Sequence, residues 1–600
     1  MLKLFSFLLA ASVASTALAA DKTPVELRVG VAGHAFDHLG NLGEQADAAA
    51  ASGVTIIYAS GLGAAGYEGL PPEKTFATNR QAAAEYVRRA KTRGIQLAIG
   101  YVCATSIVKL DTFDKNWSAD FRKQFQTPPT AWRQVNREGN ALPSWYGGEY
   151  RPACMNNPDW RTYEKYMVRQ QIETGHDGIF FDNPTVHPEG CYCEFCMKKF
   201  AEFLGDKTLP TTSAIATLRD AAVKRPKDFL RFRSTIASDF MAEMRRFART
   251  INPKALITCN NSLNSPEVFH SQSRNYGYNI YEMSKVEDMV VVEDMGNQPR
   301  TVGGSTVEYG PTYQLLQAIS HHKPLVAVTI ADGDYNTAPN LMRLAMAEAA
   351  AHDASYLSWP VWPEANRTKM IATVRPQADF LRQTEKLLNE TKARADVLLF
   401  LPFRRWVDTD QCAPLALATA LTRANVQFEA VCEENFTSTL KSFSARRAAT
   451  PVVLVESESV LNADEKNAVN LFKKNGGTVV SAEKADWLKT AQAAVQPSIT
   501  VQGPATIRVV VRDQGKRTIV HLYNLNVQKI SSLEDKVSAA SDIRLSVSVP
   551  KSHVRSVEML TADVDSSSGE LAFSSGRASQ GTLINIVVPK LSISGIIVIE

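Results

Sequence analysis

The chain has 600 residues, of which 44% are hydrophobic and 21% are charged, and its formal net charge is +4. A nearly neutral balance without a basic tract argues against a nucleic-acid-binding protein and is compatible with a neutral ligand such as a glycan. A chain of this length is too long to fold around a single hydrophobic core, so we expect roughly two to four domains.

The N-terminus has the pattern of a cleavable secretory signal. Lys3 supplies a positive charge, residues 4–13 form a short apolar run, and residues 17–19 (Ala-Leu-Ala) fit a small-x-small cleavage site. No later stretch approaches the ~20 apolar residues of a membrane-spanning helix. The sequence therefore predicts a signal peptide at 1–20 and a secreted or periplasmic protein without a membrane span.

Residues 21–390 alternate between short apolar runs and helical patterns. Continuous apolar runs, such as those that precede Asp182 and Glu293, are typical of buried parallel strands. The predicted strands are 25–31, 54–59, 95–101, 178–182, 255–259, 289–293, 324–330 and 354–358. Predicted helices between them include 80–93, 160–174, 229–250, 312–321, 340–352 and 369–388. Eight strands separated by helices predict a (β/α)8 barrel, the TIM-barrel form of the α/β class.

Two further regions follow the predicted barrel. Strands at 396–402, 451–455 and 478–481, with helices at 413–424 and 463–475, predict a small doubly wound α/β domain. After residue 497 the pattern changes to short alternating runs separated by turn residues, which predicts a C-terminal β-sandwich.

Polar residues that follow the apolar runs are candidates for a pocket, because catalytic groups of such barrels lie at the carboxyl ends of the strands. Carboxylates on facing strands, amides between them and a tryptophan at the rim are typical of a glycosidase pocket. One carboxyl group protonates the leaving oxygen, and the other attacks or activates water. The candidates are His34, Asp182, Asn183, Asn260, Glu293, Asp294, Asp332 and Trp359.

Asp182 is the foremost catalytic candidate, since it directly follows the apolar run GIFF and burying a carboxylate without purpose is costly. The alternative is an aspartate that caps the next turn. Glu293 follows MVVV in the same way, although Asp294 beside it could take the same role. Asp332 lies in the turn-rich ADGDYN, which could equally be a loop or a calcium-type cluster.

Three cysteines, Cys191, Cys193 and Cys196, are spaced C-x-C-x2-C. Thiols this close cannot form unstrained disulfides with one another, whereas four thiolates at short spacings bind zinc in structural sites. Cys154, in the long insertion between the third and fourth strands, is the natural fourth ligand. The alternative is a disulfide between Cys154 and one of the three, leaving two free thiols.

These motifs resemble those of glycoside hydrolase family 42, the β-galactosidases with a four-cysteine zinc cluster. The family segment R-x-x-C-x-N-x-P matches Arg151, Cys154, Asn156 and Pro158, and C-x-C-x2-C follows the fourth strand in both. The resemblance implies a barrel at 21–390, a flavodoxin-like domain at 391–492 that mediates trimerisation in the family, and a β-sandwich at 493–600.

One motif departs from family 42: its acid/base Asn-Glu pair is replaced here by Asp182-Asn183. The phrase DGIFFDN is more similar to α-L-fucosidases, in which the aspartate that ends the fourth strand is the nucleophile. We therefore expect a secreted, retaining, exo-acting glycoside hydrolase that removes a terminal α-L-fucoside or galactoside from an oligo- or polysaccharide. Asp182 would be the nucleophile and Glu293 the acid/base.

Two alternatives remain open at this point. In the first, family 42 roles apply, with Asp182 as acid/base and Asp332 as nucleophile acting on β-galactosides. In the second, the barrel is degenerate and binds glycans without catalysis. In the catalytic interpretations His34, Asn183, Asn260, Asp294 and Trp359 would contact substrate. The expected cofactor is one structural zinc ion and no organic group.

Overall fold

The protein is described by a computed structural model. It describes residues 29–31, 42–59, 66–143, 147–261, 266–293, 301–302, 305–328, 338–358, 364–389, 391–409, 414–444, 451–550, 553–577 and 581–600. These ranges contain a mixed α/β region followed by a β-rich C-terminal region.

The N-terminal part of the described chain contains eight parallel strands, arranged as two arcs of four. One arc has the order β2-β3-β4-β5 and the other the order β6-β7-β8-β1. A parallel bridge between Asn260 and Val291 joins the two arcs at β5 and β6. The strands are β1 (Val29–Val31), β2 (Ile56–Ala59), β3 (Leu97–Cys103), β4 (Gly178–Asp182), β5 (Leu256–Cys259), β6 (Val290–Glu293), β7 (Leu325–Val328) and β8 (Ala354–Ser358).

Helices lie between these strands in the chain, and two more follow the last strand. They are α1 (Leu42–Ala51), α2 (Glu73–Thr92), α3 (Ala119–Arg122), α4 (Pro158–Glu173), α5 (Glu194–Leu204), α6 (Ile215–Lys224), α7 (Pro226–Ile251), α8 (Pro266–Tyr276), α9 (Ile280–Met283), α10 (Gly310–Ile319), α11 (Pro339–Ala351), α12 (Glu364–Gln383) and α13 (Glu385–Leu388). Two short antiparallel pairs, 106–107 with 151–152 and 301–302 with 305–306, lie in the loops.

Side chains alternate across each strand, so the strands have an inner and an outer set of contacts. Ile99, Phe180, Leu256 and Val291 belong to one inner apolar cluster. Residues one position away, such as Phe181, pack instead against the surrounding helices. Strands that are buried on both faces have continuous apolar sequences, which is why the sequence predicted their bounds to within four residues.

A second parallel sheet with the order β10-β9-β11-β12 follows. Its strands are β9 (Val397–Leu401), β10 (Phe428–Cys432), β11 (Val452–Val455) and β12 (Val479–Ser481). Its helices are α14 (Phe403–Thr409), α15 (Pro414–Arg423), α16 (Glu433–Ser444), α17 (Ala463–Lys474) and α18 (Trp487–Ala494). The sequence did not predict β10, where Glu429 interrupts the apolar run, or the helices α14, α16 and α18.

The C-terminal region contains two larger antiparallel sheets. One has the order β14-β15-β23-β19-β20, with residues 392–393 at its β14 edge, and the other has the order β13-β18-β22-β21. A small pair, β16 and β17, completes it. The strands are β13 (Ile499–Gln502), β14 (Ile507–Gln514), β15 (Arg517–Asn524), β16 (Val527–Lys529), β17 (Asp535–Val537), β18 (Ala540–Val549), β19 (Val557–Leu560), β20 (Gly569–Glu570), β21 (Phe573–Arg577), β22 (Thr582–Leu591) and β23 (Ser594–Ile599).

Glu308 connects the three regions. Its carboxylate is almost fully buried and forms ion pairs with Arg423 of α15 and with Arg508 of β14. A buried carboxylate with two guanidinium partners is far costlier to break than an exposed pair, so this contact fixes the regions against one another. Within the described ranges, no helix has the length and apolar character required to cross a membrane.

Candidate active site and cysteine cluster

Asp182 ends β4 on the inner face of its arc. Phe180, two residues earlier, packs in the inner cluster, and strand alternation places Asp182 on the same face. Tyr101 of β3 shares this face, since it packs against the inner cluster and its ring lies 5.6 Å from that of Phe180. The register of the two strands pairs Cys103 with Asp182. The strand end therefore carries a carboxyl group above an apolar floor.

Three uncharged groups hold the Asp182 carboxylate. The Tyr101 hydroxyl and the Asn183 amide donate to Oδ2, the latter over 2.8 Å. The Asn260 amide, which follows β5, donates to Oδ1 over 3.2 Å. Each carboxylate oxygen is thus oriented by a donor from a different strand end, and no cation neutralises the charge through these contacts.

Burial and hydrogen bonding have opposite effects on the pKa of Asp182. Burial raises the pKa of Asp182, while the hydrogen bonds from Tyr101, Asn260 and Asn183 lower it, and the net direction is upward. Burial and the nearby Asp182 charge likewise raise the pKa of Cys103 to about 12. The same two causes hold the pKa of Tyr101 well above its usual range. Tyr101 therefore stays a proton donor throughout the working range of an enzyme.

The backbone on both sides of the Asp182 side chain accepts hydrogen bonds from residues that follow the two neighbouring strands. Ala104 N donates to Asp182 O over 2.8 Å, and Asn260 N donates to Phe181 O over 3.1 Å. Asn183 adopts a left-handed conformation with φ 50°, which asparagine tolerates better than most residues, and its carbonyl accepts a hydrogen bond from Thr105 Oγ1. The carboxylate position is therefore set by three adjacent strands.

The structure brings together three of the predicted pocket residues: Asp182, Asn183 and Asn260. Both amides donate to the carboxylate. Glu293 ends β6 as predicted, and its side chain lies outside the described part of the chain. The other predicted residues, His34, Asp294, Asp332 and Trp359, also lie outside the described residues. Their roles, and the identity of the second carboxylate, stay predictions.

The sequence did not predict Tyr101 as a site residue, and Asn261, next to the predicted Asn260, has a structural role. Leu97, Ile99 and Tyr101 alternate along one strand, and that parity could have identified Tyr101 as an inward residue. Asn261 is fully buried and donates to Cys259 O over 2.9 Å and to Glu287 Oε1 over 2.8 Å. It is therefore committed to those two acceptors, unlike its neighbour Asn260.

The four predicted cysteine ligands lie together. The sulfur atoms of Cys154, Cys191, Cys193 and Cys196 are within 4.8 Å of one another, and those of Cys193 and Cys196 are each 3.5 Å from that of Cys154. A disulfide requires about 2.05 Å, whereas four sulfurs at 2.3 Å from a central ion are about 3.8 Å apart. All four thiols are free, so the competing disulfide is wrong and the cluster could hold a metal ion.

Hydrogen bonds around the cluster orient the sulfurs. The Asn156 amide donates to Cys196 Sγ over 3.3 Å, and Cys193, at the N-cap of α5, accepts from Cys196 N over 3.4 Å. Burial opposes ionisation of Cys191, yet hydrogen bonds from the neighbouring thiols outweigh it and hold its pKa well below the usual range. Hydrogen bonds among the thiols, together with burial, hold the pKa values of Cys193 and Cys196 well above the usual range. The thiols thus favour one thiolate at Cys191, and the amide donors favour the thiolate form, which is the form that binds metals.

Gln134 links the insertion that carries Cys154 to the loop after Asp182. Its fully buried amide donates to Ala153 O and to Thr185 O, each over 2.9 Å. Its carbonyl accepts from His187 N over 2.8 Å. The cysteine cluster and the Asp182 strand end therefore belong to one connected hydrogen-bonded unit.

No protein-family model matches the chain, and a search of curated proteins gave no significant match. Among solved structures, the chain is similar to α-L-fucosidase isoenzyme 2 from Paenibacillus thiaminolyticus, with a TM-score of 0.63 and 13% identity over 96% of this chain and 99% of that one. It is similar to a catalytic mutant of a family 42 β-galactosidase from G. stearothermophilus, with a TM-score of 0.60 and 10% identity over 95% and 99%.

A β-galactosidase from Rahnella sp. R3 gives a TM-score of 0.60 and 12% identity over 96% of this chain and 99% of that chain. Identities this low establish likeness of fold over nearly the whole length. The fold thus confirms the resemblance to family 42 β-galactosidases and to an α-L-fucosidase that the motifs around Cys154 and Asp182 predicted.

Proposed function

We propose that the chain is a glycoside hydrolase that removes a terminal sugar from an oligo- or polysaccharide. The single observation that carries this proposal is the Asp182 carboxylate, held at a strand end by Tyr101, Asn183 and Asn260 above an apolar floor. Hydrolysis of a glycosidic bond requires an oriented carboxylate of this kind. The solved structures named above, which have the same fold, are glycosidases.

The proposal includes a domain arrangement. The strand order of the two arcs and the Asn260–Val291 bridge support a closed (β/α)8 barrel at 21–390. A flavodoxin-like domain at 391–492 and a β-sandwich at 493–600 follow. The pattern at residues 1–20 supports cleavage of a signal peptide and a secreted or periplasmic location, and a homotrimer is the assembly that the family resemblance suggests.

In the preferred mechanism, Asp182 is the nucleophile of a retaining enzyme. Its carboxylate attacks the anomeric carbon while the glycosidic C–O bond breaks and the leaving oxygen takes a proton from Glu293. The Glu293 carboxylate then removes a proton from water, which attacks the same carbon and releases Asp182. Three donors that orient Asp182 support this role, because they favour the ionised form that attacks.

A second assignment keeps family 42 roles, with Asp182 as acid/base and Asp332 as nucleophile. The upward shift of the Asp182 pKa favours it, since a general acid must carry its proton near the working pH. The two assignments differ in which residue forms the covalent intermediate. They share the hydrolysis of a terminal sugar, and the fucosidase and galactosidase neighbours make α-L-fucosides and β-D-galactosides the first substrates to test.

We further propose that the cysteine cluster holds a structural zinc ion. The sulfur separations and the amide donor from Asn156 fit four thiolate ligands. Zinc bound by four protein ligands has no open position and would act by fixing the loops around it. Cys154, Cys191, Cys193 and Cys196 would hold it, and Gln134 would transmit that rigidity to the loop after Asp182.

A panel of aryl-glycosides tests the function. We expect turnover of the α-L-fucoside or the β-D-galactoside, with NMR showing that the first-formed sugar keeps the anomeric configuration of the substrate. Inversion of the anomeric configuration would rule out the covalent mechanism and would still support a glycoside hydrolase. Binding of these sugars without turnover of any member of the panel would replace the hydrolase with a glycan-binding protein.

A further inference from the structure

Two tyrosines form an aromatic pair at the carboxyl end of the first arc. Tyr67 follows β2, and Tyr150 lies in the insertion between β3 and β4. Their ring centroids are 6.2 Å apart and their planes are inclined by 37°. Both side chains are partly exposed, in contrast to Trp132 and Trp160 of the same insertion, which are fully buried. The two tyrosine rings can therefore contact a ligand, whereas the two tryptophans are core residues.

The loop that carries Tyr67 is anchored on both sides. Tyr163 Oη donates to Gly66 O over 2.8 Å, and Val108 N donates to Tyr67 O over 2.7 Å. Gly69 adopts φ 81°, and a Cβ there would lie 1.9 Å from Phe113 O, so only glycine fits. A side chain on such a loop is held in place before any ligand arrives.

The segment that carries Tyr150 is tied to the strand end that bears Asp182. Arg151, the next residue, pairs with Ile107 in a short antiparallel bridge. Ala153 N donates to Thr105 O over 2.6 Å, and Thr105 in turn donates to Asn183 O. Both tyrosines therefore attach to the segment 105–108, which is bonded directly to the residue after Asp182.

Tyr67 also acts electrostatically on the active-site tyrosine. Burial, Asp182 and Cys103 are the larger causes that raise the pKa of Tyr101, and the Tyr67 hydroxyl adds to them. Such an interaction requires Tyr67 to lie near Tyr101, whose hydroxyl donates to Asp182. The backbone contacts through residues 105–108, with which this interaction agrees, place the aromatic pair on the side of the first arc that bears Asp182.

We propose that Tyr67 and Tyr150 form the aromatic wall on which the terminal sugar ring of the substrate packs beside Asp182. The C–H face of a sugar ring is apolar and packs on an aromatic face, while its hydroxyls remain free for polar groups. This inference rests on the proposed glycosidase function and specifies how that site positions its substrate. The two tyrosines are positioning residues, and the chemistry remains with the carboxylates.

Kinetics on p-nitrophenyl α-L-fucopyranoside and β-D-galactopyranoside, whichever the wild type hydrolyses, test the pair. We expect Tyr67→Ala and Tyr150→Ala each to raise KM about five- to tenfold with a smaller change in kcat, and Tyr150→Phe to keep the wild-type KM because the ring remains. Phe76→Ala is the matched control: Phe76 and Tyr166 form a comparable ring pair, 6.3 Å apart, between α2 and α4. Its KM should not change.

The outcomes separate this proposal from the proposed function. Turnover with an unchanged KM in both alanine variants would overturn the aromatic wall and leave the hydrolase intact. If the wild type turns over neither probe, ligand-detected NMR with the same two glycosides still tests the wall. Binding that is lost in Tyr67→Ala and kept in Phe76→Ala supports it, and equal binding by both variants, or no binding by the wild type, overturns it.

Discussion

Two carboxyl groups have similar partners and opposite surroundings: Asp182 ends β4, whereas Glu287 precedes β6 and its carboxyl group contacts Cys259 at the end of β5. Asp182 accepts a hydrogen bond from Asn260, and Glu287 accepts one from Asn261, the next residue in the chain. Asp182 is partly exposed on the inner face, whereas Glu287 is fully buried and also accepts from Cys259 N and Cys259 Sγ. The Asn260-Asn261 dipeptide thus supports one carboxyl group on the inner face and one in the core.

A raised pKa alone therefore does not identify a catalytic residue. Burial raises the pKa of both carboxyl groups, to about 7 for Glu287, although their hydrogen bonds oppose it. What distinguishes Asp182 is access to the inner face together with donors from two neighbouring strands. Glu287 is the internal control for every experiment on Asp182.

The largest expected effect is that of Asp182→Asn on turnover. Replacing the proposed nucleophile should lower kcat by roughly 10³-fold or more on any substrate of the wild type, because no attacking group remains. Glu287→Gln should keep kcat within about threefold. Thermal unfolding of both variants checks that they fold. Comparable losses of kcat in the two variants would erase the functional difference between the two carboxyl groups.

The second-largest expected effect is that of Cys196→Ala on zinc content and thermal stability. Cys196→Ala should remove stoichiometric zinc and lower Tm by roughly 5 °C or more, because metal binding contributes directly to folding. Cys432→Ala is the matched control, since Cys432 is equally buried in β10 and lies outside the cluster. Metal analysis that finds no zinc in the wild type would reject the ion, and equal Tm shifts would reject its structural role.

Ionisation of Glu287 should make the free energy of unfolding depend on pH. A carboxyl group with a folded-state pKa of about 7 stabilises the fold fully below its unfolded value near 4.5, and this contribution is lost as the pH rises through 7. Glu287→Gln is neutral at every pH, so its stability relative to wild type should rise by up to about 3 kcal/mol between pH 5 and pH 8.5. Denaturant unfolding at both pH values measures this change. A difference that is independent of pH would contradict the assignment.

The smallest expected effect is that of Tyr101→Phe. Losing one hydrogen bond to a charged group should lower kcat/KM by about 10- to 100-fold. Because that hydrogen bond lowers the pKa of Asp182, its removal should move the acidic limb of the pH–rate profile to higher pH. If Asp182 must instead be protonated, as in the second assignment, its pKa sets the basic limb, so that limb should move to higher pH while the acidic limb stays in place.

The sequence predicted most strands well because their signal is local. β4 and β8 match the predicted bounds, since each is a short apolar run between polar turns. β10 was missed because Glu429 interrupts its run, and the strand exists through pairing with β9 along its whole length. Helix α2 begins at Glu73, seven positions before the prediction, directly after Pro72 at its N-cap.

The candidate site was predicted only in part. Asp182 and the four cysteines could be predicted because each lies in a short motif of neighbouring residues. The hydrogen bond from Tyr101 depends on the register of β3 against β4, which brings together residues about 80 positions apart. No local pattern contains that register. The role of Glu287 depends on the same kind of long-range packing, and the sequence analysis did not consider it.

Trapping the covalent intermediate would show whether Asp182 forms it. A 2-deoxy-2-fluoro glycosyl fluoride of the hydrolysed sugar slows the second step, so the sugar stays attached to the nucleophile. Mass spectrometry of the digested protein should find the added sugar on the peptide that contains Asp182. An adduct on the peptide that contains Asp332 or Glu293 would contradict the account.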